Sequence, residues 1–105
     1  PLISLPPDNK IQQAIEARLD EIGRGHEERQ TFRSFETLIA MVAAGMGTAV
    51  VPSYARSACL RYGVEMARLT QPATPLSFYG ITKRGRAEAE TMAEFIKVFI
   101  ASVPA

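Results

Sequence analysis

The run Thr37-Leu-Ile-Ala-Met-Val-Ala-Ala-Gly-Met-Gly-Thr-Ala-Val-Val-Pro52 constrains this chain more than any other segment. Phe35, Leu38, Ile39 and Val42 recur at i, i+3, i+4 and i+7, which predicts a helix with one buried face up to Ala44. Gly45 stands where a left-handed residue ends such a helix, and Met46 where a Schellman motif places its apolar residue. Gly47 completes a very short connection. Thr48 to Val51 is β-branched at all but one position and apolar at nearly all of them, which predicts a strand covered on both faces. Pro52 cannot donate to a ladder and stops it. A helix that feeds a buried strand through two or three residues belongs to an α/β domain.

The rest of the chain alternates in the same manner. An apolar strand opens it at residues 1–5, and Pro6-Pro7-Asp8 turns it into a helix with Asp8 as N-cap. Ile11, Ile15, Leu19 and Ile22 stripe that helix, with Gln12, Gln13 and Glu16 on the wetter side, and Gly23 stops it. A polar, glycine-punctuated loop follows through Gly25, His26, Glu27 and Glu28. Residues 29–33 read as a short strand, with Ser34 as N-cap of the helix already described. A third helix runs from near Ser53 to Gly63. Leu76 to Thr82 reads as a strand after the Pro72 and Pro75 breaks. Arg84-Gly85-Arg86 then turns the chain into a last helix with Met92, Phe95, Ile96, Phe99 and Ile100 on its apolar face. Strands alternating with helices predict a parallel or mixed sheet flanked by helices on both sides.

Composition excludes several functions. Twelve basic residues against eleven acidic ones leave a net charge of +1, too little to hold a phosphate backbone by bulk charge. One cysteine cannot form an internal disulfide. No apolar run approaches the ~18 residues that span a bilayer. Cys59 and His26 could form a thiolate pair, but Cys59 reads as packing and His26 as a solvated loop residue. One Cys and one His do not supply a tetrahedral metal site. Gly45-Met46-Gly47 closes a helix instead of opening one and lacks the third glycine of a dinucleotide loop, so no cofactor is expected. Glu27-Glu28 reads as a solvated acidic pair, and Arg84 and Arg86 as an exposed turn more than an anion or nucleic-acid site.

Val42-Ala-Ala-Gly-Met-Gly-Thr-Ala-Val-Val-Pro52 resembles the signature of the effector-binding domain of LysR-type transcriptional regulators, in which a helix ending V-A-A-G-x-G leads into an apolar strand ending in Pro. Residues 1–5 resemble the strand entering that family's second lobe, and Arg33-Ser34-Phe35-Glu36-Thr37 its ligand-facing turn. Gly63 to Leu69 resembles the segment after the next helix, and Ala93-Glu94-Phe95-Ile96 part of the closing helix. The resemblance implies the two-lobed fold of type II periplasmic binding proteins. Residues 1–70 would be the second lobe, and residues 71–105 a return segment and C-terminal helix belonging to the first. The family's N-terminal helix-turn-helix has no counterpart in these 105 residues.

The best candidate site is the turn at Arg33-Ser34-Phe35, at the C-terminal end of one strand and the start of a helix. Open α/β sheets bind ligands there, and a helix N-terminus favours an anion. Ser34 and Arg33 would add directional donors to a carboxylate, Phe35 an apolar wall, and Thr31 would share the cleft because it points the same way as Arg33 along a strand. Read without the resemblance, the same residues make an ordinary N-cap with an exposed Arg and a core Phe; the resemblance turns the reading toward a cleft. The function expected is therefore effector sensing without catalysis in a cytoplasmic bacterial regulator. Its partners would be a small, anionic organic effector, further copies of the parent protein in a dimer or tetramer, and DNA only through a helix-turn-helix outside this chain; no membrane is involved. A periplasmic solute-binding protein of the same fold is the alternative.

Overall fold

The structure is a computed structural model that describes residues 2–24, 29–69, 77–86 and 89–101, the side chains of Ala89, Ile100 and Ala101 excepted. His26, Glu27, Glu28, Pro72, Pro75 and Leu76 lie outside the described residues.

Helix α1 (Lys10–Leu19) begins one residue later than the sequence suggests. The N–H of Asn9 donates to the carbonyl of Pro6 at 3.1 Å, so Pro7 and Asp8 become the centre of a β-turn. Asn9 therefore takes the cap, accepting from the Gln12 N–H at 2.9 Å through its side-chain oxygen. Ile15 and Leu19 are buried, and a 3₁₀ turn at Asp20–Ile22 carries the helix to Gly23 in the left-handed region. Gln12 departs from its assignment to the wet side: it is 2% exposed. Its Oε1 accepts from the Leu5 N–H at 3.3 Å and its Nε2 donates to Glu16 at 2.8 Å, which offsets the cost of burying an amide.

Helix α2 (Phe35–Ala43) starts at Ser34, whose hydroxyl accepts from the Thr37 N–H at 3.2 Å. Its end is a Schellman motif. The Gly45 N–H donates to Val42 and the Met46 N–H to Met41, with Gly45 at φ +89°. The Met46 side chain is nonetheless 40% exposed, so the apolar contact that often accompanies the motif is weak here.

Strand β1 (Ala49–Pro52) is buried along its whole length. A 3₁₀ turn at Ser53–Ala55 leads into α3 (Arg56–Tyr62), then β2 (Glu65–Arg68), β3 (Phe78–Thr82) and α4 (Ala89–Ala101). The three strands form an antiparallel sheet in the order β1-β3-β2. Two parallel bridges, Leu2 to Thr48 and Ser4 to Thr31, extend the row on the β1 side. The Ile3 N–H donates to Thr48, the Ser4 N–H to Gln30 and the Phe32 N–H to Ser4. Residues 29–33 thus make a single bridge in place of the continuous strand expected, and the sheet is mixed.

Side chains alternate across this row and build a core on each face. Ile3, Val51 and Ile81 meet Leu38, Ile39 and Cys59 on the side of α2 and α3. Leu2, Val50 and Phe78 meet Ile15, Leu19, Phe95 and Phe99 on the side of α1 and α4. The α4 face is completed by Val98, 6% exposed, which the sequence stripe omits, while Met92 and Ile96 are only partly buried. β3 is the central strand, hydrogen-bonded to β1 on one side and β2 on the other, and the Leu69 N–H donates to Phe78 at 2.9 Å. Backbone ladders of β3 and the apolar face of α4 both close on residues 1–70.

Candidate functional site

The parallel bridges orient three chain segments alike, so residues 2–5, 29–33 and 48–52 run with their C-terminal ends toward one end of the sheet. The connections leaving that end are Pro6–Asn9, Arg33–Phe35 and Ser53–Ala55. Such ends of parallel strands are where α/β sheets receive ligands, since the helices that follow aim their N-termini there.

At the middle connection, Ser34 is extended (φ −132°, ψ 154°), and its hydroxyl bonds Thr37 twice, accepting from the backbone N–H and donating to Oγ1 at 3.0 Å. The N–H groups of Phe35 and Glu36 donate to nothing among the described residues. They are the orphan donors of a helix start. Glu36 brings a carboxylate to the same turn, but it is drawn toward α3, accepting from Arg61 at 3.1 Å and the Tyr62 hydroxyl at 3.5 Å. The Arg33 side chain is exposed and, like that of Arg56, makes no hydrogen bond, ion pair or ring contact among the described residues. Phe35 is half-buried, and its ring meets Tyr54 edge to face, with centroids 5.9 Å apart at 82°.

Thr31 lies elsewhere. It lines a cavity of about 510 Å³ between α1 and the segments 2–5 and 29–31, with Leu5, Pro7, Gln12, Glu16 and Arg29 among its walls. Arg33, Ser34 and Phe35 do not line it. The volume suits a small molecule, yet the polar groups in the walls bond one another. Arg29 donates to Glu16 at 2.6 Å with side chains 6% and 13% exposed, and its second terminal nitrogen donates to the Arg24 carbonyl at 2.8 Å. Gln12 bridges Glu16 to the Leu5 backbone. This network ties Arg24 and Arg29 to α1 and leaves the cavity few uncommitted donors. The structure therefore splits the expected set, with Thr31 on the cavity and Arg33, Ser34 and Phe35 at the α2 turn.

Other candidates resolve into structural roles. The Cys59 thiol is wholly buried, and desolvation pushes its pKa up to about 11, outweighing a backbone hydrogen bond that lowers it. It stays protonated at neutral pH and is no nucleophile. Arg84 donates to the Gly63 carbonyl at 3.2 Å and Arg86 to the Gly45 carbonyl at 3.3 Å. Each thus caps the C-terminal end of a helix, α3 and α2 respectively, where a cation is favoured. No group of three His, Cys, Asp or Glu residues that could hold a metal occurs among the described residues. No helix among them is long and apolar enough to cross a membrane.

Two features escaped the sequence reading. Tyr54 was legible in principle, because it follows the Pro that ends β1 and so leaves the sheet at the same end as Arg33-Ser34-Phe35. The Gln12–Glu16–Arg29 network was not, since a polar residue one position off a helix stripe carries no mark of burial. No curated protein and no solved structure matches the chain. The family model of the LysR substrate binding domain matches residues 1–103. With a sheet covered by helices on both faces and a helix N-terminus at the end of its parallel segments, the chain belongs to the LysR substrate-binding domains, the ligand-binding domains of LysR-type regulators, and has their type II periplasmic-binding-protein-like fold.

Proposed function

We propose that this domain senses a small organic anion at the α2 turn, in a cleft completed by another lobe, and does no chemistry on it. One observation carries the reading: at Arg33-Ser34-Phe35 an unpaired guanidinium adjoins a helix start with two unspent N–H groups. A carboxylate would satisfy all three, gaining charge-assisted bonds and the favourable end of the helix dipole. Binding then favours one arrangement of the lobes over another by its differential affinity for the two. In a cytoplasmic regulator assembled as a dimer or tetramer, that shift reaches DNA through helix-turn-helix domains outside this chain.

The test is calorimetry with a panel of small carboxylic acids against the protein and its Arg33→Ala variant. Loss of the guanidinium should weaken the cognate acid by about 1.5–3 kcal/mol, as for other hydrogen bonds to charged groups. Unchanged affinity removes Arg33 from the site.

A further inference from the structure

Tyr54 is the most exposed large apolar side chain among the described residues, at 64%. Single exposed tyrosines are ordinary on protein surfaces, but this one is fixed in place. Ser53, beside it, donates its N–H to the Ser77 carbonyl at 2.7 Å, which ties the 3₁₀ turn to the chain entering β3. Its ring stands at 82° to that of Phe35. Two rings at right angles make a corner, and a flat ring entering it can lie against one wall while meeting the other edge-on, the two geometries aromatic pairs prefer. The Tyr54 hydroxyl has no hydrogen bond among the described residues. Arg33 and the open N–H groups of α2 belong to the same turn as Phe35. The corner is therefore apolar on two sides, and the turn that supplies its Phe35 wall also carries Arg33.

We propose that Tyr54 is a specificity-determining residue of the effector site, and that it selects a planar aromatic carboxylic acid over an aliphatic acid of the same size. The inference rests on the reading of the α2 turn as the effector site. Charge complementarity fixes the polar end of the occupant, and the perpendicular ring pair fixes its body. A puckered aliphatic ring would gain burial but not the ring–ring geometry.

Calorimetric titration with benzoate and with cyclohexanecarboxylate, equal in charge and close in volume, tests it. Benzoate should bind tighter by roughly 3- to 10-fold, the margin an aromatic pair supplies. Tyr54→Ala should abolish that margin, Tyr54→Phe should keep it, and Arg33→Ala should weaken both acids alike. Equal binding of the two acids, or a margin that survives Tyr54→Ala, overturns the assignment of Tyr54. If both acids bind without preference and both need Arg33, the effector reading stands and this inference falls. If neither binds, both fall.

Discussion

Gly45 sits at φ +89°, a conformation an L side chain adopts only with strain, and a Cβ there would also come within 3.3 Å of the Lys83 side chain. The two effects differ in kind. Lys83 is flexible and can swing away, whereas the backbone angle is held by the Gly45 and Met46 hydrogen bonds that close α2. Gly45→Val should therefore lower unfolding stability in urea by about 1 kcal/mol or more, with strain as the larger part. The Arg86 bond to the Gly45 carbonyl would be disturbed at the same time. Ligand selectivity in the protein that remains folded should not change, since the α2 start is at the other end of the helix. Cys59 gives a second residue-scale test. Its pKa is raised from 9.0 to about 11, so the folded state holds the proton more tightly than the unfolded state does. Any stability linked to it is present below pH 9 and is lost as pH rises through about 9 to 11, never on acidification. Thiol-specific reagents at pH 8 should accordingly label Cys59 only as fast as the protein opens.

Helix termini hold much of the order at the scale of elements. Ser34 caps α2 at one end, and Gly45 with Arg86 closes it at the other; Gly63 with Arg84 closes α3. Ser34→Ala should cost about 1 kcal/mol of stability in a denaturant titration, as N-cap losses do, and Ser34→Gly less. A neutral Ser34→Ala would mean that the Thr37 N–H finds water equally well. Where such ends carry their own chemistry the sequence was readable: Ser34 before an apolar stripe, Gly23, Gly45 and Gly63 after one, and a β-branched run stopped by Pro52. It misled where the decisive partner is distant in sequence. Asn9 displaced Asp8 because the Pro6–Asn9 turn claimed Asp8 for its centre. Gln12 looked solvent-facing because its partners, Leu5 and Glu16, define a burial that helical periodicity does not encode. Arg84 and Arg86 read as no more than an exposed turn because the carbonyls they cap belong to the ends of other helices. The candidate site was half legible for the same reason. Arg33-Ser34-Phe35 is contiguous and Tyr54 follows the Pro that ends β1, whereas the separate position of Thr31 emerges only from the fold.

Across the whole molecule, one strand joins the two cores. β3 places Ile81 with α2 and α3 and Phe78 with α4, and its other neighbour on the α4 side is Gly80, where a Cβ would collide with the Met92 sulfur. Phe95 is fully buried on that side, with Arg24 held 5.7 Å above its ring. Truncating it should cost about 3–5 kcal/mol, much of the stability a domain of this size commands. If β3 couples the cores, Phe95→Ala must loosen the opposite one too. The reporter is Cys59, which among the described residues belongs to the core beside α2 and not to the core beside α4. Thiol labelling at pH 8 should therefore accelerate in Phe95→Ala by a factor matching its loss of global stability, roughly 10²–10⁴ when opening is fast relative to reaction. The alternative outcome is as informative. Unchanged Cys59 protection, alongside exposure of apolar dye sites, would mean that α4 detaches by itself and that residues 71–105 dock as a separate segment. That would support the division at residue 70 and leave α4 available to another lobe.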